Sequence, residues 1–186
     1  MIFGFFDESG FSDRPHVVRT WGLKGHTPLI QSAGGWKRLT AAGMTVFNAK
    51  TKRTSALSWL LKRSMRKEKM LSLLKDLKKK YHRYQFVFLW DSLPAHKAKI
   101  VMRFVEENRA WLTTVRFPSY APELNPQEYV WSGTKRKDFG NYCAPNIHSL
   151  HGKVRRVLKK RAGEPSFLRG CIKASGLFTA RELGEG

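Results

Sequence analysis

Residues 119–139, SYAPELNPQEYVWSGTKRKDF, read as a Pro-punctuated loop running into a helix with one carboxylate at its mouth. Asn125 is a residue type that caps helix N-termini, Pro126 fits the first helical position, and Glu128 falls at the third. The backbone there is rigid, and its positive end favours a carboxylate. Glu128 then has two possible uses. In a capping box its side chain folds back onto the Asn125 N–H; as a functional acid it projects ahead of the helix to meet other groups. Which use applies depends on the acids elsewhere in the chain.

Two aspartates answer it. The apolar run from Ile2 (IFGFF) ends in Asp7 and Glu8, and the run from Tyr84 (YQFVFLW) ends in Asp91. Both runs read as buried strands, so Asp7 and Asp91 occupy equivalent places where a strand leaves a sheet, the position at which open sheets present ligand-binding groups. Between them, residues 17–30 suggest two short strands about a glycine turn. Two longer strands, KRLTAAGMTVFNA and TSALSWLL, flank the basic hairpin turn NAKTKR, so that four or five antiparallel strands precede the first helix. That helix is expected over 66–81, with Met70, Leu73, Leu74, Leu77 and Tyr81 on one face. A second is expected over 95–108, with Ile100, Val101, Phe104 and Val105 inward, then a strand at LTTVRFP and a basic helix over 147–161. The order of strands, helix, strand-Asp, helix, strand, loop and Glu-helix predicts an α/β ribonuclease H-like fold (retroviral integrase superfamily), a mixed sheet flanked by helices. One domain is expected over 1–163, with 164–186 a loosely patterned C-terminal extension.

At 186 residues the chain suits one domain with a substantial core. Its formal charge of +21 is unevenly spread: residues 48–83 hold thirteen basic groups against two acidic, whereas 84–128 hold five of each. Basic charge therefore flanks the acids, and a polyanion, by default nucleic acid, is the expected partner. Cys143 and Cys171 form no CxxC, and with His148 and His151 they fit no compact zinc spacing, which suits reduced thiols. The chain opens on no signal-peptide pattern and holds no run of membrane-spanning length, so an intracellular, cytoplasmic protein is expected, without a membrane partner. Three carboxylates in so basic a protein suit hard divalent cations, Mg2+ or Mn2+, which take oxygen ligands and share substrate phosphates. Two such ions support in-line displacement at phosphorus.

The segments FFDESGF, RTWGLKGHTP, VFLWDSLPAHK and SYAPELNPQEYVWSGTKR, in this order across residues 3–160, resemble the DDE superfamily endonuclease domain of mariner-superfamily insertion-sequence transposases. The resemblance implies a catalytic, metal-binding triad of Asp7, Asp91 and Glu128, with 36 residues between the last two. It implies hydrolysis of phosphodiester bonds at transposon ends, strand transfer into target DNA at a short TA-containing sequence, action at the bacterial nucleoid, and a homo-oligomer on paired ends. Such transposases carry helix-turn-helix modules ahead of the catalytic domain, so end recognition is expected from a separate N-terminal polypeptide. Ser92 stands where relatives have Asn, which puts one supporting hydrogen bond in question.

Lys50, Lys52 and Arg53 of the basic turn, His96 and Lys97 beyond Asp91, and Lys135, Arg136 and Lys137 on the Glu128 helix are candidate DNA contacts. His96 could also orient the acids. Glu8, neighbouring Asp7 on a strand, points to the opposite face and takes a supporting role. Trp131 reads as a core anchor, with stacking on an extruded base as the sharper option. Two rival readings remain: another ribonuclease H-like nuclease, such as a resolvase or ribonuclease, and a catalytically silent DNA-binding remnant.

Overall fold

A computed structural model describes residues 1–31, 35–61, 64–91 and 93–184. Ser92 lies outside the described residues. β1 (Ile2–Ser12), β2 (Arg38–Asn48) and β3 (Thr54–Leu61), whose apolar and aromatic side chains suit a pleated surface, form an antiparallel meander. β4 (Phe86–Trp90) and β5 (Leu112–Arg116) lie parallel to β1 on its other side, giving the order β3-β2-β1-β4-β5. Mixed polarity in this order is the ribonuclease H-like sheet expected.

The parallel crossovers are made by α1 (Lys67–Tyr81) and α2 (Lys99–Glu107). α1 buries Met70, Leu73, Leu74 and Leu77, the stripe its period dictates, onto a core with Phe6, Met44, Phe86 and Phe88. The opposite face is covered by α3 (Pro126–Asp138), α4 (Ile147–Ala162) and α5 (Pro165–Ala174).

Three expectations are corrected. Residues 17–30 form no strands and lie outside the sheet: Val17, Trp21, Leu23 and Leu29 are exposed, so their apolar side chains find no core face to pair over. Only three strands therefore precede α1. α2 begins at Lys99 rather than 95, since residues 94–97 form a turn closed by the His96 N–H on the Leu93 carbonyl, and Ile100 is left exposed. The C-terminal residues are not loosely patterned. Leu168 and Ile172, four apart on α5, are fully buried with Leu183 of α6 (Ala180–Leu183), and Phe178 packs edge-on against Phe3, Phe5 and Phe47.

Candidate active site

Asp7 does not stand at the end of its strand. β1 continues to Ser12 against β2, with Asp7 opposite Gly43. What ends is the other edge, because β4 pairs with β1 only as far as Phe5↔Leu89. Beyond that pair the sheet opens, with Asp7 on one side and Asp91, which follows the last residue of β4, on the other.

The third carboxylate reaches this opening because α3 sits close on the sheet. A Cβ at Gly43 would run into Gln127 and Trp131, so the bare backbone there is what admits the helix. Thr45 Oγ1 donates to Gln127 Oε1 at 2.8 Å in the buried interface, and Trp131 is buried. Burial makes Trp131 the anchor and removes the base-stacking option. The helix mouth is capped as its sequence dictates, with Asn125 Oδ1 accepting the Gln127 N–H at 3.0 Å. The Asn125 N–H, which a capping box would give to Glu128, instead donates to the Pro122 carbonyl. Glu128 is therefore free to line a cleft of about 360 Å³ with Asp7, Asp91 and the 117–122 loop.

The three acids are held differently. Burial, then the nearby Glu128 charge and to a smaller extent that of Asp91, push the Asp7 carboxyl up to about 7. The Glu8 backbone N–H offsets part of this. The Trp131 indole lies beside Asp7, yet neither Asp7 Oδ2 nor Trp131 Nε1 completes a hydrogen bond of ordinary geometry. Burial raises Glu128 as well, against the pull of Lys135, while burial lowers Lys135 despite Glu128 and Asp7 beside it. Burial would raise Asp91 too, but the hydrogen bonds from His96 and from the Leu93 N–H prevail and hold it below the usual aspartate range.

His96 is 2% exposed, its Nδ1 2.8 Å from Asp91 Oδ1 and its ring stacked 4.7 Å from Trp90 at 11°, with its edge against Phe6. Nδ1 therefore carries the donated proton, and the aromatic walls fix the ring. Glu8 takes a supporting place on the opposite face, its Oε2 accepting the Met65 N–H at 3.0 Å.

The residues fit a hard divalent cation. The donors are carboxylate oxygens alone, Asp7 Oδ2 is buried without a partner, and mutual repulsion leaves the cleft short of positive charge. Among the described residues, no three or more His, Cys, Asp or Glu side chains are placed closely enough to hold a metal ion between them, so the carboxylates stand apart from one another across the cleft.

Of the candidate DNA contacts, Lys135 lies beside Glu128, Lys97 is exposed in the turn after Asp91, and Arg136 and Lys137 are exposed on α3, Lys137 leaning towards Phe167 of α5. Lys50, Lys52 and Arg53 are not brought to the site. Their turn joins β2 to β3 beside Met1, and the Lys52 carbonyl is held by Arg169. Sequence reasoning missed Tyr120, which is fully exposed on the cleft rim at φ +59. A left-handed aromatic is unusual and carries no sequence signal beyond its place in a Pro-flanked loop.

A family model described as DDE superfamily endonuclease matches residues 3–150. Among solved structures, the chain is similar to the mariner Mos1 paired end complex with Mg at a TM-score of 0.60 and 14% identity, covering 96% of this chain and 56% of that one. It is similar to the Mos1 transposase paired-end complex with left transposon end at 0.57 and 15%, covering 95% and 55%. The catalytic domain of Mos1 mariner transposase gives 0.51 and 12%, covering 96% and 83%. The chain thus spans about half the length of the first two, and at these identities the likeness shows the fold. A search of curated proteins finds no match.

Proposed function

The chain belongs to the DDE superfamily endonucleases, and from that premise we propose that it is the catalytic part of a DNA transposase, hydrolysing phosphodiester bonds at transposon ends and joining the freed 3′ end to target DNA. The observation that carries this is the buried carboxyl of Asp7, its Oδ2 without a partner, crowded by Glu128 and Asp91 at the open edge of the sheet. Such a group is stable only with a cation or a proton beside it.

Asp7, Asp91 and Glu128 would hold Mg2+ or Mn2+, two ions in all, which supply the charge that activates the attacking oxygen and stabilises the leaving oxygen. The chain's own residues do the positioning. His96 fixes the rotamer of Asp91, Gln127 and Trp131 fix the height of Glu128 over the sheet, and Lys135 stands where a phosphate next to Glu128 would pass. Mos1 structures solved with Mg, with Mn and as a strand transfer complex support the metal and the second step. The charge of +21 supports a DNA substrate. The exposed Val17, Trp21, Leu23 and Leu29 support assembly of more than one copy on paired ends.

The test is Mn2+-dependent nicking of supercoiled plasmid at low salt, with Asp91→Asn beside the native chain. Nicking that vanishes in the variant is the expected result. Binding without nicking by both would make the chain a silent DNA-binding remnant.

A further inference from the structure

A second cavity lies beyond the acids, at the far end of β1, and nothing in the proposed chemistry uses it. It encloses about 300 Å³ between Phe11 and Ser12 of β1, Arg14 and His16 of the following segment, Arg38 at the start of β2, and Lys135 of α3. Its floor is aromatic: Phe11 lies 5.1 Å from Phe139, and Phe139 6.1 Å from Tyr142. No carboxylate is among the described residues lining it, and neither Arg14, Arg38 nor Lys135 makes an ion pair with a described acid. Lys135 has Glu128 and Asp7 beside it, whereas Arg14 and Arg38 line the cavity with no acid on its walls, so an anion there would be drawn to both.

The cavity is held in shape from both sides. The Asn141 N–H donates to the His16 carbonyl at 2.9 Å, and the Asn141 side chain bonds both the N–H and the carbonyl of Val18. These bonds pin the Arg14–Val18 segment to the end of α3. Arg14 stacks on Trp36 with its guanidinium 3.2 Å from the ring centre. Register places Arg38 directly opposite Ser12.

The cavity is also continuous with the acids. His16 and Lys135 also line a neighbouring cleft that contains Glu128, which in turn lines the carboxylate cleft. Glu128 and Lys135, seven apart on α3, face the same way, roughly 10 Å from each other at 1.5 Å per residue. We propose that Arg14 and Arg38 form a binding site for one backbone phosphate, a short way along the strand from the phosphate attacked at the acids, with Lys135 standing between the two. The site holds the strand in register along α3, and the idea rests on the acids being the active site.

The test measures binding of the native chain and of the Arg14→Ala/Arg38→Ala double variant to an oligonucleotide duplex ending at the cleavage point. Single methylphosphonates, which remove one phosphate charge, are scanned along the strand. For the native chain, one neutral linkage a short way along from the scissile position, and distinct from it, should weaken binding roughly tenfold, the loss of one charge-assisted contact. In the double variant that position should make no further difference, the salt slope should fall by about 0.9 for the one phosphate lost, and Arg14→Lys/Arg38→Lys should restore most of both. A double variant that keeps its slope and its methylphosphonate pattern while the native chain still nicks plasmid overturns this site and leaves the active-site reading standing. A loss produced by an abasic residue at that position, and not by the methylphosphonate, overturns the phosphate in favour of a base on the aromatic floor. A native chain that neither binds nor nicks overturns both readings.

Discussion

Asp7 and Asp91 stand on neighbouring parallel strands, face one opening, and are opposite in every other respect. Asp7 sits in mid-strand, buried, with one oxygen unclaimed and its carboxyl pushed up to about 7. Asp91 sits one residue past its strand, half exposed, with His96 and the Leu93 N–H holding it down. The protein therefore favours the ionised form of one acid, while the other gives up its proton only around neutrality. The difference suggests a site in which Asp91 attracts the first ion and Asp7 closes around it.

The largest effect should be the one in which the two acids agree. Asp7→Asn and Asp91→Asn should each reduce Mn2+-dependent plasmid nicking by on the order of 10³-fold or more, as groups acting as a unit fail together. Retained nicking in either variant would break the pairing. Thermal unfolding against pH should then separate them. The raised Asp7 carboxyl binds its proton more tightly when folded, so its contribution is full below about pH 4 and is lost as pH rises through about 7. Asp7→Asn should remove that loss and stabilise the chain at pH 8 by up to roughly 4 kcal/mol, at 1.36 kcal/mol per pKa unit. For Asp91 the sign reverses: its contribution is present at neutral pH and lost on acidification, so Asp91→Asn should give no gain at pH 8. Mg2+ at pH 8 should raise the native Tm and neither variant's.

A smaller effect should come from the support of Asp91 alone. His96→Ala should lower nicking by about 10- to 100-fold, the usual scale for a group that orients a metal ligand. The Mn2+ concentration for half-maximal rate should rise while DNA affinity stays put. A fall in DNA affinity with unchanged Mn2+ dependence would make His96 a DNA contact instead.

Much of this site was legible in the sequence, for a physical reason. Apolar strands that end in an acid, and an Asn-Pro-x-Glu helix mouth, are local signals that survive without tertiary context. β4, α1 and the capped start of α3 accordingly fall where the pattern puts them. What was hidden depended on partners. Asp7 looked like a strand end because the apolar run stops there, yet β2 carries β1 on to Ser12, and only the β4 edge ends. Residues 17–30 suggested two short strands, but they pair with none of the five strands and leave Val17, Trp21, Leu23 and Leu29 exposed. Gly43 gave no sign that its missing side chain sets the height of Glu128. The basic turn at residues 50–53 looked like the natural DNA contact from its charge alone, while Arg14 and Arg38 are isolated in sequence and meet only through the Ser12–Arg38 register.

The smallest effect should come from that basic turn, and it bears directly on whether local geometry or net charge governs binding near the acids. The turn adjoins the Ile2 end of β1, five residues from Asp7, about 16 Å away at 3.3 Å per residue. Screening at physiological salt acts over about 8 Å. Lys50→Ala/Arg53→Ala removes the same two charges as Arg14→Ala/Arg38→Ala, so any effect of net charge must be equal in the two pairs. Nicking by the turn variant should stay within about twofold of native, and its salt slope within about 0.3, since no phosphate held at the acids loses its partner. Equal losses in the two double variants would mean that the +21 charge acts as a diffuse field, and that neither end of β1 has a privileged path for the strand.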